Sequence, residues 1–187
     1  MSQQLDPQRS LIDWLDAVAS DRPLPAGGRV ASVAAAFAAA LVEKVARIVQ
    51  RSPTRATWHA LAESVQRKAA SLRPALLALG AADDDAYAAL IATRRSGDEA
   101  AHGEARLGAA RTQMELIEQA GEVARLAAEL EPKVGPALRA DLATARLLAV
   151  AAAHGAHGNV TANLGALNDE ATSRLRERTN EAVAALP

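Results

Sequence analysis

The sequence contains no cysteine, and its 187 residues include only one Phe, one Tyr and two Trp. Without cysteine there can be no disulfide scaffold, thiolate metal site, cysteine nucleophile or thiol redox chemistry. So few rings exclude the aromatic platforms on which single-stranded nucleic acid stacks. An excess of either charge is also lacking: 21 Lys and Arg stand against 22 Asp and Glu, for a net charge of -1. That balance leaves no basic footprint for duplex nucleic acid. The polar start, MSQQLDPQRS, does not read as a signal peptide. The longest uncharged run, Leu147 to Asn168, reaches membrane-spanning length but is interrupted by His154, His157, Asn159 and Asn163. Its alanines and glycines contribute little insertion energy and its amides and imidazoles oppose insertion, so it reads as a buried helix. The expectation is a cytoplasmic protein that engages neither membrane nor nucleic acid.

What the sequence does have is alanine, roughly a quarter of all residues and far above ordinary usage. With 50% hydrophobic residues and hardly a ring, the core has to close by bringing backbones together, which alanine-lined helices allow. Helix signals run from end to end. Asp6-Pro7 reads as a cap and first-turn proline for a short helix through Leu11, Trp14, Leu15 and Val18, which DRPLPAGG ends. A long second helix carries Val30, Val33, Phe37, Leu41, Val45 and Ile48 as an apolar stripe and is expected in the middle of a bundle. A third helix runs through Trp58, Leu61, Val65 and Leu72, and Pro74 is expected to bend or end it. The next is expected to hold Asp83, Asp84 and Asp85 in its first turn. Gly97-Asp98 reads as a turn and cap before a helix burying Leu107, Met114, Ile117, Ala124 and Ala128. After EPKVGP come a long helix from Leu138 to about Leu167 and a polar one from Asn168 to Leu186. The fold class is all-α, a multi-helix bundle in one domain over residues 1–187.

Four features stand out from the helical background. Pro25-Ala26-Gly27-Gly28-Arg29 precedes a helix, where glycines let backbone approach a ligand and unpaired N–H groups favour an anion; a tight turn with a cap explains it equally. Asp83-Asp84-Asp85 suits the dipole of a first turn, yet one of the three, if it faced a cleft, would have its pKa raised by burial and could shuttle protons. In AAAHGAHGNVTANL, Asn159 and Asn163 share a helix face, so they bridge helices or hold a polar ligand. His154 and His157 lack an evident third ligand, so no metal site is expected. Asp141 reads as an early-turn acid.

Taken in order, these blocks resemble the cyclodeaminase/cyclohydrolase family of folate enzymes. The family shows a PGGGSVAA-type loop opening an alanine-rich helix, and here Pro25 to Leu41 reads PAGGRVASVAAAFAAAL. An acid ahead of an Ala-Tyr or Ala-Phe pair corresponds to Asp83 before Ala86-Tyr87. A Ser-Asp pair corresponds to Ala140-Asp141, and Gly-Ala followed by Asn-Val-x-x-Asn-Leu to Gly155-Ala156 and Asn159 through Leu164. The resemblance extends from about Ser10 to Leu186. It implies a helical bundle dimerising through its helices, a tetrahydrofolate derivative as substrate, and no tightly bound cofactor or metal. It also implies Asp83 as the catalytic carboxylate, with Gly27, Gly28, Asn159 and Asn163 lining the folate site; Arg29 and Asp141, which fall in the same blocks, are added as candidate substrate-binding residues. The implied chemistry is formiminotetrahydrofolate cyclodeamination or methenyltetrahydrofolate cyclohydrolysis. Departures at Ala26, Arg29, Pro136 and Ala140 motivate an alternative: a diverged member acting on another amine or imine, or a bundle that binds a ligand without catalysis.

Overall fold

The computed structural model describes residues 11–165 and 167–187, so the helix start at Asp6-Pro7 lies outside the described residues. Among the described residues, six α-helices follow one another: α1 (Leu11–Ala19), α2 (Gly27–Arg51), α3 (His59–Ser96), α4 (Glu99–Leu130), α5 (Pro136–Leu164) and α6 (Glu170–Ala184). Short 3₁₀ segments at Pro53–Trp58 and Glu131–Lys133 link α2 to α3 and α4 to α5. No strand occurs among the described residues. None of their helices is long and apolar enough to cross a membrane.

Cross-helix contacts show that α2 to α5 alternate in direction around a four-helix ring. Ser32 meets Leu76 and Gln50 meets Ala62, so α2 and α3 are antiparallel. Lys68 pairs with Glu122 and Asp83 with Gln113, which sets α4 antiparallel to α3. Arg106 reaches the end of α5 while Asn159 reaches Gln113, and α5 closes the ring by packing on α2. Helix α6 lies against α4 and α5, with Thr179 beside Met114 and Arg178 paired with Glu118. Asp98 and Asp169 cap α4 and α6 by accepting from Ala101 N and Thr172 N. Gly97 adopts the left-handed conformation that ends α3, at φ 74.

Two expectations are corrected. Pro74 neither ends nor divides a helix: α3 is one element of 38 residues with Pro74 inside it. The lost backbone bond is offset by packing on both sides of the proline, where Ala69, Leu76 and Leu79 are buried. Asp83, Asp84 and Asp85 therefore sit well inside a helix, not in a first turn, and the helix dipole does not account for them. The second correction concerns α2, whose expected apolar stripe is only in part its core face: Val45 is buried and Val33 and Leu41 are half-buried, but its other members are not. Phe37 is 52% exposed, and Val30 and Ile48 are also exposed, whereas Ala35, Ala38, Ala39, Val42, Ala46 and Val49 are fully buried. The helix contacts α3, α4 and α5, and a face made mostly of alanine with a few valines allows so many neighbours. Leu147 on α5 is 68% exposed, and α1 exposes Leu11, Ile12 and Leu15.

Candidate active site

Three helices of the ring contribute polar side chains to one cluster, and the fourth, α2, places a glycine against it. On α3, Asp83 accepts a hydrogen bond through Oδ1 from Gln113 Nε2 on α4, at 2.5 Å. Gln113 is 1% exposed, and its own Oε1 accepts from Asn159 Nδ2 on α5 at 3.4 Å. This chain fixes which end of the Gln113 amide faces the carboxylate, because a buried amide settles where both its donor and its acceptor find partners. From α2, Gly28 completes the contact. A Cβ there would lie 2.2 Å from Asp83 Oδ2 and 2.4 Å from Gln113 Nε2, so the close approach requires glycine. Burial pushes the Asp83 carboxyl above its ordinary pKa, against the opposing effects of the Gln113 hydrogen bond and the nearby Arg29 charge. The result is a half-buried carboxyl with raised proton affinity, held in one orientation and suited to giving and taking protons.

Arg29 and Asp84 lie beside this cluster. Arg29 is 5% exposed, and its Nε approaches Asp84 Oδ2 only to 3.8 Å. Burial raises the Asp84 pKa as well, with Arg29 opposing and Asp83 and Asp85 reinforcing the rise. Gly80 makes room on α3: a Cβ there would meet Ser32 Oγ at 2.3 Å and Arg29 Cδ at 2.8 Å. Ser32 is held in place by donating to Leu76 O at 2.7 Å.

The remaining candidate residues divide between this end of the bundle and the other. Gly27 is exposed with open space where its Cβ would be, and Ala26 provides no side-chain cap to the α2 N-terminus. Asn163 is half-buried one turn beyond Asn159. Its backbone carbonyl accepts from Arg106 Nε at 2.7 Å, and its side chain makes no hydrogen bond to the Asp83–Gln113–Asn159 chain. Asp141 is in a different place. It lies 18 residues before Asn159 on the same helix, roughly 27 Å away at about 1.5 Å per residue. There it pairs with Lys44 Nζ at 2.8 Å. His154 is exposed and His157 Nε2 lies 2.9 Å from Asn180 Oδ1, and no group of metal-ligating side chains assembles among the described residues.

Sequence reasoning missed Gln113, Asp84, Ser32 and Gly80 as parts of the cluster. Gln113 had a signal: it falls in the buried register Leu107, Ala110, Ile117 of α4, where a long amide needs a specific partner. Gly80 and Ser32 had none, because their roles depend on which helices meet.

Comparisons with known proteins bear on the family and the fold. The family model described as formiminotransferase-cyclodeaminase matches residues 10–182. The crystal structure of formiminotetrahydrofolate cyclodeaminase from Thermotoga maritima superposes with a TM-score of 0.90 at 27% sequence identity. The match covers 96% of this chain and 90% of that one. No curated protein matches the chain. A family match over nearly the whole chain, together with a shared fold of the same extent, shows that the chain belongs to the formiminotransferase-cyclodeaminase family.

Proposed function

We propose that the protein is a folate one-carbon enzyme, a formiminotetrahydrofolate cyclodeaminase, with Asp83 as its acid/base group. In that reaction N10 of the substrate attacks the carbon of the protonated 5-formimino group (an amidinium), the N10 proton is removed and passed to the former imino nitrogen, and ammonia leaves from the same carbon. The product is the 5,10-methenyl bridge. One carboxylate can take the N10 proton and deliver it to the departing nitrogen, provided its proton affinity is raised and its orientation fixed. The observation that carries the reading is the Asp83 carboxyl, buried against Gly28 and oriented by Gln113 and Asn159. The likeness to a Thermotoga maritima protein named formiminotetrahydrofolate cyclodeaminase supports this over cyclohydrolysis of the methenyl group, which would use the same residue. Neither reaction requires more than proton transfer, so the folate enters as substrate and no tightly bound cofactor is invoked. Gly27, Gly28 and Asn163 surround the same end of the bundle and are assigned to folate binding.

A homodimer belongs to the same proposal. The resemblance implies pairing through helices, and the exposed Val30, Phe37 and Ile48 of α2 and Leu147 of the adjoining α5 offer an apolar face to a second copy.

Ultraviolet absorbance of the methenyl product tests the reaction. Wild type should form it from 5-formiminotetrahydrofolate, and Asp83→Asn should lose about 10²–10⁴-fold in rate. No turnover in wild type, or an unimpaired variant, overturns the reading. The buried Arg29 favours one second reading, a diverged member that handles another amine or imine or binds without catalysis. Calorimetric titration with tetrahydrofolate derivatives decides between them, since tight binding with efficient turnover rejects the second.

A further inference from the structure

Next to the Asp83–Gln113–Asn159 chain, two charged side chains are enclosed with hydrogen-bonding capacity unused. Neither Nε nor Nη1 of Arg29 has an acceptor, and Oδ1 of Asp84 has no donor. The 3.8 Å between Arg29 Nε and Asp84 Oδ2 is beyond hydrogen-bond reach, so the two ions attract without satisfying each other. Taking both out of water is costly unless the remaining donors and lone pairs are met. The surroundings are shaped to keep the arrangement. Gly80 leaves α3 without the Cβ that would strike Arg29 Cδ, and Arg29 follows Gly28 directly as Asp84 follows Asp83.

We infer that Arg29 and Asp84 form a specificity subsite that reads the edge of a neutral planar group bearing a carbonyl beside an N–H, of the lactam or aminopyrimidinone type. The carbonyl accepts from Arg29 and the N–H donates to Asp84 Oδ1, so one ligand edge meets the unused groups of both residues. Charge argues against an anionic ligand here. One guanidinium faces two carboxylates, Asp83 and Asp84, with Asp85 next in sequence. A free carboxylate or phosphate would satisfy Arg29, add like charge beside Asp83, and leave Asp84 Oδ1 unmet. The inference deepens the folate reading and rests on it for the identity of the ligand: the pterin end of a folate carries such an edge, and its dianionic glutamate tail does not.

The test is calorimetric titration of the full chain with the two halves of a folate, a 2-amino-4-oxopteridine and 4-aminobenzoylglutamate. Wild type, Arg29→Ser and Asp84→Asn are compared, each checked for folding by its thermal melt, with Arg29→Lys in reserve should Arg29→Ser not fold. The pteridine should bind wild type and weaken about tenfold or more in each variant, the loss of one charge-assisted hydrogen bond. Affinity for aminobenzoylglutamate should stay within about threefold of wild type, less than such a loss. The inference is overturned if the pteridine does not bind wild type, if folded variants bind it undiminished, or if the loss falls on the aminobenzoylglutamate half. The methenyl assay keeps the two ideas apart. Turnover with pteridine binding indifferent to the variants sinks the subsite alone. Pteridine binding that depends on Arg29 and Asp84, without turnover, sinks the one-carbon reaction alone.

Discussion

A methyl group at Gly28 would press on Asp83 Oδ2 and Gln113 Nε2, the two ends of the bond that orients the carboxyl. Gly28→Ala should cost about 1–3 kcal/mol of stability, because Gln113 is buried and its displacement leaves polar groups unpaired. The atoms displaced are the reacting carboxyl and its orienting partner, so turnover should fall about tenfold or more. A comparison of melting temperature with methenyl formation checks both halves. The pKa of Asp83 makes a second prediction. Because its folded value is raised above the ordinary 3.8, its contribution to stability is fully present below that pH and is lost as pH rises through the folded value. Asp83→Asn removes that loss, so the inactive variant should melt higher than wild type at neutral pH. The gap should close as pH falls into the ordinary carboxylate range, as thermal melts across pH will show. Asp83, Gly28 and Asn159 were legible in the sequence because they fall in ordered family blocks. Gln113 lies in no such block: its buried register on α4 marks it as an amide in need of a partner, but the identity of that partner depends on which helices meet.

At the scale of elements, turn chemistry was legible where it was strong and misleading where packing outweighed it. Gly97-Asp98 ends α3 and caps α4 as the sequence implies, since a left-handed glycine and an aspartate accepting from Ala101 N act locally. Pro74 is also a local signal, but the buried Ala69, Leu76 and Leu79 on either side carry α3 through it. Substituting Pro74 by alanine restores a backbone donor at an exposed position. The substitution should stabilise the protein by about 1–3 kcal/mol, read from urea denaturation midpoints. In α2, a helical period correctly located the element and the burial of Val45, but it also assigned Val30, Phe37 and Ile48 to the core, because size was taken as the mark of burial. Alanine is the buried residue here, since α2 must lie close to three other helices. Ala39→Leu should overpack that contact and cost about 1–3 kcal/mol by the same measurement.

For the molecule as a whole, the bundle was legible from periodicity and alanine content, but the distribution of its candidate residues was not. Asp141 and Asn159 share α5 yet lie at opposite ends of the ring, so Asp141 cannot join Asp83 within one chain. A second copy, paired as proposed, would change that. Phe37 lies about midway along α2 between Gly28 and Lys44, the partner of Asp141. A two-fold axis near Phe37 would run the exposed α2–α5 faces of two copies antiparallel, setting the Asp141 end of each against the Gly28 end of the other. Phe37→Glu combined with Leu147→Glu puts charge into that face at positions already exposed in the single chain, so the protein should remain folded. Sedimentation should show wild type as a dimer and the double variant as a monomer, and a monomeric wild type overturns the pairing. The monomer keeps Gly28, Asp83, Gln113 and Asn159 but loses whatever the second copy adds. If Asp141 serves folate binding across the interface, the monomer's KM should rise while kcat changes little, and Asp141→Asn in the dimer should do the same. An unchanged KM in both would leave the site complete within one chain and Asp141 as the surface partner of Lys44.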